Sequence, residues 1–148
     1  MQPQDQKPKR TLKLKISEEI RFKLIGISSH ENDYRLVWAI NSKLGFQFVR
    51  TDSLIIHREA LQTDLSFNRY TYTDEDKYLT FNLISNNSTE GFLFPGLKNL
   101  DYLVQVTGDI LEGEMAELLR NLKSVEVISA CFILDPAKIK GIRNALQE

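Results

Sequence analysis

The sequence predicts an α+β fold: a single mixed, largely antiparallel sheet with helices packed mainly on one face. Three observations lead there. From Phe46 to about residue 85 the chain carries alternating and short apolar runs broken by polar turns, the pattern of antiparallel strands. Segments 34–44 and 109–123 instead space their apolar residues as helices do. The C-terminal third reads strand, helix, strand, helix with connections of only a few residues, so its two strands should point the same way and be joined by a right-handed crossover.

Size and composition fit that class. At 148 residues the chain suits one domain that buries about two thirds of its unfolded surface. With 42% hydrophobic and 26% charged residues, it has enough apolar material to fold. The formal net charge of -1 supplies no overall positive field, which disfavours a dedicated nucleic-acid binder. No stretch approaches the ~18 apolar residues of a membrane span, and the first residues lack the apolar core of a secretory signal. A cytoplasmic protein that makes no membrane contact is expected.

Taken in order, residues 1–9 are rich in Gln, Pro and Lys and are expected to form a flexible tail, with residues 10–148 as the globular domain. Leu12, Leu14 and Ile16 alternate with Lys13 and Lys15, as in a half-buried strand with lysines to solvent. Together with Lys7, Lys9 and Arg10, these lysines make a basic end that could touch RNA. Segment 17–27 admits two readings. Ser17 followed by Glu18 and Glu19 favours a helix start, with Ile20, Leu24 and Ile27 on one face, whereas Phe22, Leu24 and Gly26 fit one side of a strand. The helix is slightly favoured.

Polar residues 28–33 should cap a helix that runs through 34–44 to Gly45. Leu36, Val37, Ile40 and Leu44 share its inner face. Tyr34, Trp38 and Asn41 form a second stripe about a third of a turn away. If the helix is wedged between sheet and loop, both stripes are buried; otherwise Tyr34, Trp38 and Asn41 line a site for a protein partner.

Segments 65–73 and 78–85 flank Asp74-Glu75-Asp76-Lys77 as a hairpin. The acids at its tip lack the spacing and the closing glutamate of a calcium loop, so no metal is expected there. Residues 86–91 form a polar loop by composition. Residues 102–106 alternate as a strand, Asp109 with Glu112 resembles a capping box, and Leu111, Met115, Leu118 and Leu122 define a helix. The apolar run 125–134 suits a strand covered on both faces, with Cys131 as a small buried hydrophobe. Asp135-Pro136 is an N-cap followed by proline, and Ile139, Ile142 and Leu146 give the last helix its inner face.

The segment Phe94-Pro95-Gly96-Leu97-Lys98-Asn99-Leu100-Asp101-Tyr102 resembles the motif that names the IPExxxVDY family of short Bacteroidetes proteins. Pro95, Asp101 and Tyr102 match it, Phe94 and Leu100 are apolar replacements, and Gly96 stands where the motif has Glu. The 24–27 run and the Asp33-Tyr34-Arg35-Leu36 segment with Trp38 and Asn41 are similar to the family's early part. The resemblance implies a cytoplasmic bacterial protein and assigns it no reaction. It is compatible with a structural motif in which Pro95 ends the incoming segment, Asp101 binds backbone N–H groups and Tyr102 packs inward.

No cofactor is implied. Two histidines, His30 and His57, carry no catalytic spacing. His30 with Asp33, and Asp101 and Tyr102 elsewhere in the chain, form the weakest of three readings, a small enzyme. A non-enzymatic binding or adaptor module that uses Tyr34, Trp38 and Asn41 with the 91–101 loop comes first. An RNA-associated accessory protein, drawing on the basic end, Arg35 and Lys43, comes second.

Overall fold

Alternating side chains on the central strands divide the protein into two apolar layers, one on each face of the sheet. The computed structural model describes residues 20–146. The expected tail and the strand from Thr11 lie outside these. In chain order the elements are β1 (Phe22–Ser28), α1 (Asp33–Leu44), β2 (Val49–Arg58), β3 (Thr63–Asp74), β4 (Leu79–Ser85), β5 (Asn87–Ser88), β6 (Gly91–Phe92), β7 (Tyr102–Thr107), α2 (Glu112–Lys123), β8 (Ala130–Leu134) and α3 (Ile142–Leu146).

Six strands form one sheet in the order β2-β3-β4-β7-β1-β8, and every neighbouring pair is antiparallel. Strands β5 and β6 make a separate two-stranded ladder. β7 and β8 point the same way, as their short connection through α2 predicts, with β1 inserted between them. The long helices α1 and α2 cover one face through Leu36, Val37, Ile40, Met115, Leu118 and Leu122, packed on Ile25, Ile27, Tyr102, Val104 and Val106. Phe22, Leu24, Leu65, Phe67, Ile84 and Leu103 face the other way, under Leu93, Phe94 and the short α3.

The helix favoured over 17–27 gives way to strand β1 from Phe22 onwards, while Ile20 and Arg21 belong to no regular element. A helix would bury one stripe, whereas an interior strand buries Leu24, Ile25 and Ile27 together, all at 0% exposure. Each aliphatic side chain removed from water contributes roughly 1.5–3 kcal/mol, enough to outweigh a cap. Gly26 has a steric reason within this strand: a Cβ there would stand 2.6 Å from Leu100 Cδ1.

Helix α1 has the predicted limits. Asn32 Oδ1 accepts from the Arg35 N–H at 3.2 Å, and Gly45, at φ 73°, donates its N–H to the Asn41 carbonyl. At the β3–β4 turn, Asp74 Oδ1 accepts from the N–H groups of Asp76 and Lys77, so the acidic tip is a locally bonded turn.

Three expectations shift. Helix α2 starts at Glu112, two residues later than an Asp109 cap would place its first turn, and Glu114 supplies the box by accepting from the Leu111 N–H at 3.0 Å. The run 125–134 is extended only from Ala130. It forms an edge strand that buries Cys131 while Phe132 and Ile133 stay exposed, because Val125 and Ile128 enter the core from turns instead. Asp135 Oδ1 caps a short 3-10 turn through the Ala137 N–H, and α3 starts beyond Gly141, with Ile142 and Leu146 inward as expected.

Candidate functional site

Helix α1 divides the Tyr34, Trp38 and Asn41 stripe by role. Its inner face is committed to the core through Leu36, Val37 and Ile40. Tyr34 is 62% exposed and Trp38 71% exposed, so the wedge between sheet and loop does not form. Asn41, one turn beyond Trp38, is bound at both ends: Oδ1 accepts from the Phe48 N–H at 3.0 Å and Nδ2 donates to the Phe48 carbonyl at 3.1 Å. That clamp holds the 45–48 linker against the helix and leads the chain into β2. Arg35, on the same helix, lies 3.4 Å from Glu31 as an exposed i,i+4 ion pair, worth a few tenths of a kcal/mol.

The 91–101 loop and the Trp38 helix are not brought together. Leu93 and Phe94 pack into the apolar layer on the face opposite α1. Their path is organised by Asn86, which is 0% exposed. Its Nδ2 donates to the carbonyls of Leu97 and Leu100, both at 2.9 Å, and its Oδ1 accepts from the Phe94 N–H at 2.9 Å. Its backbone N–H donates to the Asp101 carbonyl, and its own carbonyl accepts from Leu93. Composition places Asn86 in a polar loop beside Asn87, and no local signal separates the two; its burial is visible only in three dimensions.

Within the 94–102 motif each matched residue has a framework contact. Pro95 opens a 3-10 turn over Pro95–Leu97, where its missing N–H is harmless. Asp101 Oδ2 accepts from the Ser29 N–H at 2.8 Å, tying the start of β7 to the end of β1. Tyr102 is buried and donates its hydroxyl to the Glu31 carbonyl at 2.6 Å. Burial, and then the carboxylates of Asp33 and Asp101, hold that hydroxyl far above the ordinary tyrosine range. Gly96 is exposed with open space around it, so a larger side chain is sterically admissible there.

The same contacts draw His30, Glu31, Asp101 and Tyr102 around a polar crevice of about 290 Å³, a proximity their separation in sequence conceals. Two of its hydroxyl groups are engaged: Ser29 Oγ donates to the Val127 carbonyl at 2.7 Å, and Tyr102 Oη donates to Glu31. The hydroxyls of Ser29 and Tyr102 are thus committed to backbone carbonyls and not held as nucleophiles by His30. His57, on the other side of the protein, is exposed, with Nδ1 at 2.8 Å from Asp64 and Nε2 at 3.6 Å from Glu59. Among the described residues no group of three or more His, Cys, Asp or Glu is arranged to hold a metal ion, and no helix is long and apolar enough to cross a membrane. Compared with known proteins, the chain matches no family model, no curated protein and no solved structure.

Proposed function

We propose that this chain is a non-enzymatic protein-binding or adaptor module, working in the cytoplasm, that takes its partner through Tyr34 and Trp38. One observation carries the reading: two large aromatic side chains one helical turn apart stand in solvent on a helix whose opposite face is fully used by the core. Aromatic side chains are enriched at protein interfaces because they bury large areas at low entropic cost, and Trp and Tyr lead the residues whose loss weakens binding most. Asn41 contributes by fixing the linker beside them rather than by offering a free amide. The IPExxxVDY resemblance is kept as a proposal about ancestry, with Pro95, Asp101 and Tyr102 as framework residues.

The test is affinity capture by the full chain, with and without nuclease, in parallel with a Tyr34→Ala/Trp38→Ala variant. A protein partner that survives nuclease and is lost with the double variant supports the reading. Equal capture by the variant removes it. Loss on nuclease treatment alone turns the case to the RNA-associated alternative, whose binding must also fall steeply with salt.

A further inference from the structure

On the sheet face away from α1, the end of β2, the 93–97 segment and the 138–145 segment enclose a cleft of about 590 Å³. That volume lies inside the ~300–1,000 Å³ range of small-molecule sites. Its walls are mainly apolar, with Ile56, Leu93, Phe94, Leu97 and Ile139 among them. Arg58, Lys138 and Lys140 also line it, and among the described residues no Asp or Glu does. The cleft is therefore apolar in its walls and of one sign in its charge.

Arg58 gives that sign a direction. The guanidinium is only partly exposed, and Nη2 donates to the backbone carbonyls of Phe92 at 3.0 Å and Leu93 at 3.5 Å. Its Nε is buried with no hydrogen-bond partner among the described residues. Among the described residues no carboxylate lies within ion-pair distance of Arg58, Lys138 or Lys140. A half-buried guanidinium held by neutral carbonyls retains its charge and its capacity to donate, and its planar fork suits carboxylate or phosphate oxygens. Carbonyl contacts orient it without neutralising it.

We propose that this cleft binds a small amphiphile: an apolar chain laid against Ile56, Leu97 and Ile139, with an anionic head met by Arg58 and the two lysines. The shared chemistry is a singly attached carboxylate or phosphate on an aliphatic tail. This site is separate from Tyr34 and Trp38 and does not depend on the partner reading.

Calorimetric titration of the full chain with sodium decanoate, decyl phosphate, decanol and sodium butyrate tests it. One or both of the ten-carbon anions should bind, with the tighter one identifying the head, while decanol and butyrate bind at least roughly tenfold more weakly. Arg58→Ala should weaken anion binding by roughly tenfold or more. Because Arg58 also holds backbone carbonyls, Gly96→Glu is the companion variant: its side chain enters open space at the cleft wall, adds a negative charge and should weaken the same anions several-fold without altering thermal unfolding. Absence of binding by both anions, equal binding of decanol, or affinities unmoved by both variants would overturn the proposal.

Discussion

Asn41 grips Phe48 by both backbone groups, accepting from its N–H at 3.0 Å and donating to its carbonyl at 3.1 Å. A side-chain amide here takes the place of a strand neighbour for one residue, just before β2 begins. Asn41→Ala removes both bonds and leaves two partly buried backbone groups to find water, at a cost of about 1–3 kcal/mol. Urea unfolding followed by circular dichroism should show a lower midpoint at unchanged slope. A midpoint equal to that of the parent chain would mean that the clamp contributes nothing.

Asn86 should matter more than its neighbour. Asn86→Ala leaves the Leu97 and Leu100 carbonyls and the Phe94 N–H without their partner in a dry site, and each such group costs about 1–3 kcal/mol. A loss of at least about 3 kcal/mol is expected. Asn87→Ala, at an exposed position, should stay within about 0.5 kcal/mol. Equal effects of the two substitutions would refute the organising role of Asn86.

Gly26 and Leu100 share one space. Gly26→Ala places a methyl 2.6 Å from the Leu100 side chain and should cost about 1–3 kcal/mol by overpacking. Leu100→Ala alone opens a cavity and should cost about 2–5 kcal/mol. In the double variant the new methyl partly fills the hole, so the combined loss should fall below the sum of the single losses. Additive losses would show that the two side chains do not compete.

Alkaline pH should weaken the fold through Tyr102. Burial raises its folded-state pKa above the ordinary tyrosine value of 10.0, so the neutral hydroxyl is the form that the folded state prefers. The associated stability is fully present below pH 10.0 and is lost as pH rises from there towards the folded value. Tyr102→Phe should cost about 1 kcal/mol at neutral pH and flatten part of the decline above pH 10.0. Unfolding free energies measured from pH 7 to 11 would check both effects, and an unchanged alkaline slope in the variant would contradict them.

Elements with strong local signals were legible in the sequence. Helix α1 has a polar cap, a clear apolar face and Gly45 at its end; the β3–β4 hairpin has alternation and an acidic turn. For β1 the local signal points elsewhere: Ser17, Glu18 and Glu19 favour a helix start, while its place inside the sheet depends on β7 and β8, more than 70 residues away. The candidate site was partly legible for the same reason. Helical spacing places Tyr34, Trp38 and Asn41 on one stripe, but the identity of Asn41's partner depends on how the chain turns after Gly45. Arg58 carried no signal at all beside His57 and Glu59, since its surroundings come from segments 34–87 residues further along.

The β-bulge in β2 sets the phase of everything that follows it. Between Thr51 and Leu54 the strand advances three residues while β3 advances two, from Arg69 to Phe67, and Arg69 Nε bonds the Asp52 carbonyl at the irregularity. Strict alternation from Thr51 would turn Ile55 inward and send Leu54, Ile56 and Arg58 to the other face. The extra residue corrects the count, so the phase of the strand puts Arg58 on the cleft side, where the Phe92 and Leu93 carbonyls then orient it. Deleting Asp52 or Ser53 would restore a regular ladder with Leu54, Ile56 and Arg58 still on the face they now occupy, so β2 can lose a residue there and keep its phase.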